Sequence, residues 1–224
     1  MPAGNRGKAR EHVGGAFDVV GGKLFALLLA EGLRESDYVL DVGCGNLRVG
    51  RLLIAYLLES RYCGVEPEHW VLDAGIEHEA GPGLIADKAA RFNRNREYFF
   101  AGFDVAFDVA FAGSVLSHTG IDEATALFRG VSQALAPDGS FFATFIEEGG
   151  ELAAKLSQSG GPRPRGTEYV GWAAGGLTYS REEICDLARA AGFDTRFGPP
   201  VDMTDRGLGQ RWVAFTRPEA GDGD

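Results

Sequence analysis

Tyr38-Val-Leu-Asp-Val-Gly-Cys-Gly-Asn-Leu-Arg-Val-Gly50, followed after a short helical stretch by Tyr62-Cys-Gly-Val-Glu66, decides how this chain folds. Tyr38 to Val42 is a short apolar run of β type that ends on a carboxylate, Asp41. Gly43 and Gly45 then let the backbone turn sharply where a side chain would block an incoming ligand. From Asn46 the pattern becomes helical, with Leu47, Gly50, Ile54 and Leu57 or Leu58 recurring at spacings of three and four. A glycine turn that feeds a helix beside a strand's carboxyl end marks the crevice where open α/β sheets bind ligands.

Glu66 closes the next apolar strand about twenty residues beyond the glycines, the separation at which an acidic residue reaches ribose hydroxyls. The pair of signals therefore reads as a nucleoside site. A dinucleotide would need a third glycine where this chain has Arg48, and its pyrophosphate would meet a crowded turn. NAD is disfavoured on that ground.

On these residues the chain resembles the class I S-adenosylmethionine-dependent methyltransferases, whose first motif is an acidic residue followed by alternating glycines, matched here by Asp41, Gly43 and Gly45. The third glycine of that motif falls at position 47, where this sequence has Leu47. The resemblance covers most of the chain. It implies that S-adenosyl-L-methionine is the cofactor, that Asp41, Gly43, Cys44 and Gly45 hold its methionine part, and that Glu66 binds its ribose. It also points to the loop after the third strand, with Asn95 and Glu97, for the adenine.

Composition limits the alternatives. At 224 residues the chain suits one domain with a sizeable core. With 22 Lys plus Arg against 32 Asp plus Glu, its net charge of −10 repels a phosphate backbone or an anionic membrane. Arg91, Arg94 and Arg96, with Arg163 and Arg165, are local basic exceptions that read as solvated arginines or as a grip on an acidic substrate. Cys44, Cys63 and Cys185 fall in a turn, a strand and a helix; they form no disulfide framework and suit a reducing cytoplasm. Leu24 to Ala30 is too short to span a bilayer and no cleavage pattern follows it, so neither a signal peptide nor a membrane span is expected.

Strands alternating with helices argue for a doubly wound α/β fold with a mostly parallel sheet. Residues 1–16 are expected as a loose arm and Phe17 to Leu29 as an amphipathic helix. A helix over Trp70 to Glu79 should end at Gly81-Pro-Gly83, and a third strand should lie near Ala90 to Phe92. Phe107 to Ala112 reads as a fourth strand, Ile121 to Leu135 as a crossover helix, Pro137-Asp-Gly139 as a turn, and Ser140 to Ile146 as a fifth strand. Ser180 and Glu183 form a capping-box pattern that opens a helix closed by Gly192. Gly192-Phe193 and Arg211 to Thr216 supply the last strands, and the resemblance implies seven strands with the last inserted antiparallel. Residues 1–216 are thus one domain with a lid-like insertion at 147–178, and 217–224 form a disordered tail.

Methyl transfer asks the protein to align a nucleophile, exclude water and, where needed, remove a proton. Positioning can supply on the order of 7–11 kcal/mol, so an obligatory base is not required. His118, in the loop after the fourth strand, is the candidate base, since imidazole titrates near neutrality; the alternative is a histidine that caps or packs at the next helix. Ala112, Gly113 and Ser114 would line the site. His12 from the N-terminal arm and Tyr169, Trp172 and Tyr179 from the insertion are candidates for the acceptor side. Phe99, Phe100, Phe103 and Trp70 read as core before pocket wall. No metal-ligand spacing emerges. The Asn/Asp-Pro-Pro-Tyr signature for gripping planar amino groups is absent after the fourth strand, and so is an acidic metal ligand. The sequence therefore leads to transfer to a small organic acceptor, oxygen before nitrogen, with no nucleic-acid or membrane partner and an oligomeric state left open. A catalytically silent subunit, an aminopropyl transferase and a nicotinamide-dependent reductase are the rival readings.

Overall fold

The computed structural model describes residues 4–14, 16–158, 176–203 and 209–218. Its sheet runs β3-β2-β1-β4-β5-β8-β7, from β1 (Val39–Val42), β2 (Tyr62–Val65), β3 (Arg91–Asn93), β4 (Phe107–Ala112), β5 (Leu135–Glu147), β7 (Asp194–Asp202) and β8 (Gly209–Thr216). The five strands from β3 to β5 are parallel, and β8 inserts antiparallel between β5 and β7. An eighth strand, β6 (Thr178–Tyr179), pairs with the far end of β5 off this path. The chain order reverses between β1 and β4, so their carboxyl ends open on the switch point at which such sheets form a crevice.

Every residue of β1 and β2 is buried, as expected for central parallel strands covered on both faces. Leu40, Val42, Ala110, Ala112, Phe141 and Phe145 face one core with α6 (Ile121–Ala134) and α8 (Arg181–Ala190). The alternate residues Val39, Val109, Phe111 and Phe142 face the other core with α2 (Phe17–Ala30) and α3 (Gly50–Tyr56). Period two in the strands thus divides one sequence between two cores. Ser180 caps α8 by accepting from the Glu183 amide, and Glu183 returns the bond to the Ser180 amide.

Several boundaries differ from the sequence reading for identifiable reasons. The N-terminal arm is not loose through its length: Gly4–His12 is a helix, α1, because Arg6 and Arg10 both reach Glu79 on the segment after α4 (His69–Gly75). Helix α3 starts at Gly50, not at Asn46, because Leu47 takes a left-handed conformation with φ 63°. The helix expected over 70–79 passes from α4 into a π-helical turn at Ile76–Ala80, and Pro82 opens α5 (Pro82–Asp87) instead of only ending its predecessor. Pro137-Asp-Gly139 turns inside β5: Leu135 pairs with Phe107 and Ser140 with Val109, so the intervening residues bulge out of the ladder.

The insertion is described only at its ends, where Glu151–Gln158 forms α7; the rest of it lies outside the described residues. The same holds for the tail beyond residue 218. Arg217 itself is fixed, donating Nη2 to the Ser132 carbonyl. No single helix among the described residues is long and apolar enough to cross a membrane; the bent pair Arg6–His12 and Phe17–Ala30 passes by length and composition only.

Candidate active site

Two backbone bonds fasten the glycine turn to the neighbouring strand. The amides of Gly43 and Cys44 both donate to the Val65 carbonyl, at 2.8 and 3.0 Å. Gly43 has φ 67° and Gly45 φ 56°, and a Cβ on Gly43 would lie 2.6 Å from Val115 Cγ2. A side chain there would therefore need both a strained backbone and a displaced neighbour.

Glu66 sits at the end of β2 with 8% exposure, and its carboxylate serves the turn directly. Oε2 accepts from the Gly45 amide at 3.0 Å and Oε1 from the Glu68 amide at 2.8 Å. Burial raises its pKa, and those two amides oppose the rise. Each oxygen keeps a second lone pair for a ligand. Asp41 is fully buried, which pushes its carboxyl up to about 7 even though it accepts a hydrogen bond from Tyr62. Burial likewise raises the Cys44 thiol far above the usual range, so it does not act as a thiolate.

A single cleft is lined by His12, Asp41, Gly43, Cys44, Gly45, Glu66, Asn95, Gly113, Ser114 and His118, so ten of the residues singled out in the sequence converge. Three others do not line it. Ala112 is buried in the core beneath the cleft. Tyr179 is also in that core, with its hydroxyl donating to the Thr119 carbonyl at 2.5 Å. Glu97 is exposed on the adjoining loop. Tyr179 and Leu177, whose amide donates to the Ser117 carbonyl, brace the loop that carries His118. Tyr169 and Trp172 lie outside the described residues. Asn95 spends its side chain locally, on the Phe99 carbonyl and the Glu97 amide.

His12 meets the exposed Trp70 edge to face, ring centroids 5.1 Å apart. Of the basic exceptions, Arg94 pairs with Asp73, Arg96 pairs with Glu68 at the border of the cleft, and Arg91 donates to the Phe103 carbonyl; Arg163 and Arg165 lie outside the described residues. Among the described residues no cluster of His, Cys, Asp and Glu could hold a metal ion.

Sequence reasoning missed Arg48, Phe111 and Val115 as cleft residues. In the sequence Arg48 reads only as an obstacle to a pyrophosphate. Phe111 reads simply as strand core, and nothing local in Val115 separates it from a packing residue.

The cleft suits S-adenosylmethionine. Its glycine cradle would be filled by any added Cβ, it sets two buried carboxylates on one side, and the buried hydroxyl of Ser114 has no partner among the described residues. Residues 40–141 match the family model described as a methyltransferase domain. The match marks a methyltransferase domain within the chain, over the strands and turn that build the cleft.

Among solved structures it is similar to the magnesium protoporphyrin IX methyltransferase of Synechocystis PCC 6803 with bound S-adenosylhomocysteine. That match has 17% identity and a TM-score of 0.66 over 91% of this chain and 86% of the other. A methyltransferase from Methanosarcina mazei matches with 17% identity and TM-score 0.61, over 86% of this chain and 98% of its own. Human N-acetylserotonin methyltransferase in complex with S-adenosylmethionine matches with 13% identity and TM-score 0.62, over 89% of this chain and 52% of its own. At such identities the likeness is one of fold.

Proposed function

We propose that this enzyme methylates a small organic acceptor, on oxygen in preference to nitrogen, in the cleft at the carboxyl ends of β1, β2 and β4. The observation that carries the reading is the arrangement of that one cleft. Asp41, the glycine turn and Glu66 form one wall, and Phe111, Ser114 and His118 form another. When bound, S-adenosylmethionine supplies an activated methyl group and its own leaving group.

The protein's part is to hold and to orient. Glu66 accepts from the ribose hydroxyls through lone pairs left over from the Gly45 and Glu68 amides. Asp41 accepts from the cofactor's ammonium, and Gly43, Cys44 and Gly45 shape the turn against its chain. Asn95 and the loop around it border the adenine. Gly113 and Ser114 border the cofactor; on the acceptor side His12 enters from α1, and His118 takes the proton from the acceptor's hydroxyl. Tyr179 supports the acceptor side from beneath, through its bond to the Thr119 carbonyl; Tyr169 and Trp172, the other aromatics expected there, lie outside the described residues. Residues 1–216 form one domain. The three free cysteines support a reducing, cytoplasmic setting.

The test is a thermal-shift titration followed by turnover. S-adenosylhomocysteine should raise the melting temperature by mass action, and NAD should leave it unchanged. Methyl transfer from labelled cofactor to a panel of phenols and carboxylic acids should then exceed transfer to matched amines. A protein that S-adenosylhomocysteine leaves unshifted, or one that prefers amines, contradicts the reading at its first or second step.

A further inference from the structure

Arg48, the residue after the left-handed Leu47, brings a charge into the cleft that the fold does not neutralise. It is 8% exposed and lines the cleft, and it forms no ion pair with a carboxylate of the described residues. Nη1 donates to the Val13 carbonyl at 2.7 Å, and the remaining guanidinium donors make no bond to a described residue. Gly21 fixes the position of its backbone: a Cβ there would lie 2.5 Å from the Arg48 carbonyl, so α2 closes directly over it.

A guanidinium withdrawn from water without a counter-charge is costly. Burial lowers Arg48 to about 10 although Asp41 pulls it upward. The cleft therefore holds two buried carboxylates, Asp41 and Glu66, and one buried guanidinium that forms no ion pair with either, and Asp41 and Arg48 flank the same glycine turn. Together they complement a zwitterion, with an ammonium for Asp41 and a carboxylate for the planar fork of Arg48.

We propose that Arg48 is a carboxylate-binding subsite within the cleft. The carboxylate can come from the amino-acid end of the cofactor or from an acidic acceptor, and the adjacency of Asp41 favours the cofactor. This rests on the cleft being the S-adenosylmethionine site.

The experiment is calorimetry on the full chain with three nucleosides: S-adenosylhomocysteine, its analogue lacking only the carboxylate (5′-deoxy-5′-(3-aminopropylthio)adenosine), and 5′-methylthioadenosine, which lacks both charges. Wild type should bind S-adenosylhomocysteine about tenfold or more tightly than the decarboxylated analogue, the scale of a charge-assisted contact. Arg48→Met should erase that preference and leave 5′-methylthioadenosine affinity within about twofold, which also shows that the variant folds. Arg48→Lys, which keeps the charge and loses the fork, should retain part of it.

A preference that survives in Arg48→Met overturns the proposal. A wild type with no preference moves the source to the acceptor: benzoate titrated into the S-adenosylhomocysteine complex should then bind wild type and not Arg48→Met, and failure of that binding also overturns it. A wild type that binds none of the three nucleosides overturns the cofactor reading itself, a result distinct from losing Arg48 alone.

Discussion

Tyr62 donates its hydroxyl to Asp41 Oδ2 at 2.8 Å, joining the first residue of β2 to the carboxylate near the end of β1 inside a fully buried pair. Two opposing effects meet there. Desolvation favours the neutral acid, the Tyr62 hydroxyl favours the anion, and desolvation wins, leaving Asp41 to titrate at about 7.

The first expected consequence is a pH-dependent cofactor affinity. An ammonium is held by the Asp41 anion and not by its neutral acid. The affinity for S-adenosylhomocysteine should therefore climb as pH rises through about 7 and level off above it. Asp41→Asn should bind more weakly and with a flat profile between pH 6 and about 8.5, the range above the ordinary carboxylate pKa. Stability runs the other way. Because the folded pKa lies above the unfolded one, the contribution of Asp41 is complete below the unfolded pKa and is lost as pH rises through the folded value. Denaturant titrations at several pH values should show Asp41→Asn gaining on wild type as the medium becomes alkaline.

Tyr62→Phe isolates the hydroxyl. Without its donor the Asp41 anion is less favoured, so the midpoint of the affinity profile should move to higher pH. The ring remains to pack against Phe92, whose centroid lies 5.9 Å away. A stability loss of about 1–2 kcal/mol, measured by urea unfolding, is expected for one buried charge-assisted bond. An unmoved midpoint would mean that Tyr62 does not tune Asp41.

Much of this site is legible in the sequence because its signals are local. Asp41, Gly43 and Gly45 follow a short apolar run, and the spacing to Glu66 is set by one crossover helix. The apolar runs of β2 and β4 needed no tertiary information. What could not be read depends on partners distant in the chain. Helix α1 is rich in glycine and charge, and its order comes from Arg6 and Arg10 meeting Glu79 across about seventy residues. Tyr179 carries no local mark that separates a cleft wall from a brace on the Thr119 carbonyl. A leucine also gives no hint that its backbone will be left-handed.

Leu47 shows how strongly packing can override backbone preference. It occupies the place of the motif's third glycine and adopts a φ of 63° that glycine reaches freely, yet its side chain is fully buried among Leu53, Ile54 and Leu72. Relief of left-handed strain is worth about 1–2 kcal/mol, whereas removing a buried leucine costs about 2–5 kcal/mol. Leu47→Gly should therefore be destabilised by about 1–3 kcal/mol in urea unfolding. A variant more stable than wild type would mean that strain outweighs packing here.

His118→Ala should separate proton removal from cofactor binding. If His118 acts as base, kcat falls by about 10²–10⁴-fold while the dissociation constant for S-adenosylhomocysteine stays near that of wild type. Equal turnover would reduce it to a packing residue. Glu66→Gln supplies the contrast: cofactor affinity should fall, because the neutral amide is a weaker acceptor for hydroxyls and for the Gly45 amide at once.

Ser114 should lose function without losing stability. Its φ of 65° is a strained value for a residue with a side chain, and a buried chain holds it there. The Ser114 amide donates to Thr144 Oγ1 at 2.8 Å, and Thr144 donates onward to Gln210 Oε1 at 2.6 Å. Strain retained by a dedicated support is expected where a side chain must point at a ligand. The Ser114 hydroxyl lines the cleft and makes no hydrogen bond to a described residue. Ser114→Ala therefore breaks nothing in the free protein, and its unfolding free energy should lie within about 0.5 kcal/mol of wild type. Its kcat/KM should drop by about tenfold, the value of one hydrogen bond made only to a bound molecule. Thr144→Val should do the reverse, costing about 1–3 kcal/mol by stranding the Ser114 amide and the Gln210 carbonyl. A Ser114→Ala enzyme with unchanged kcat/KM would show that the strained loop aims some other atom into the cleft.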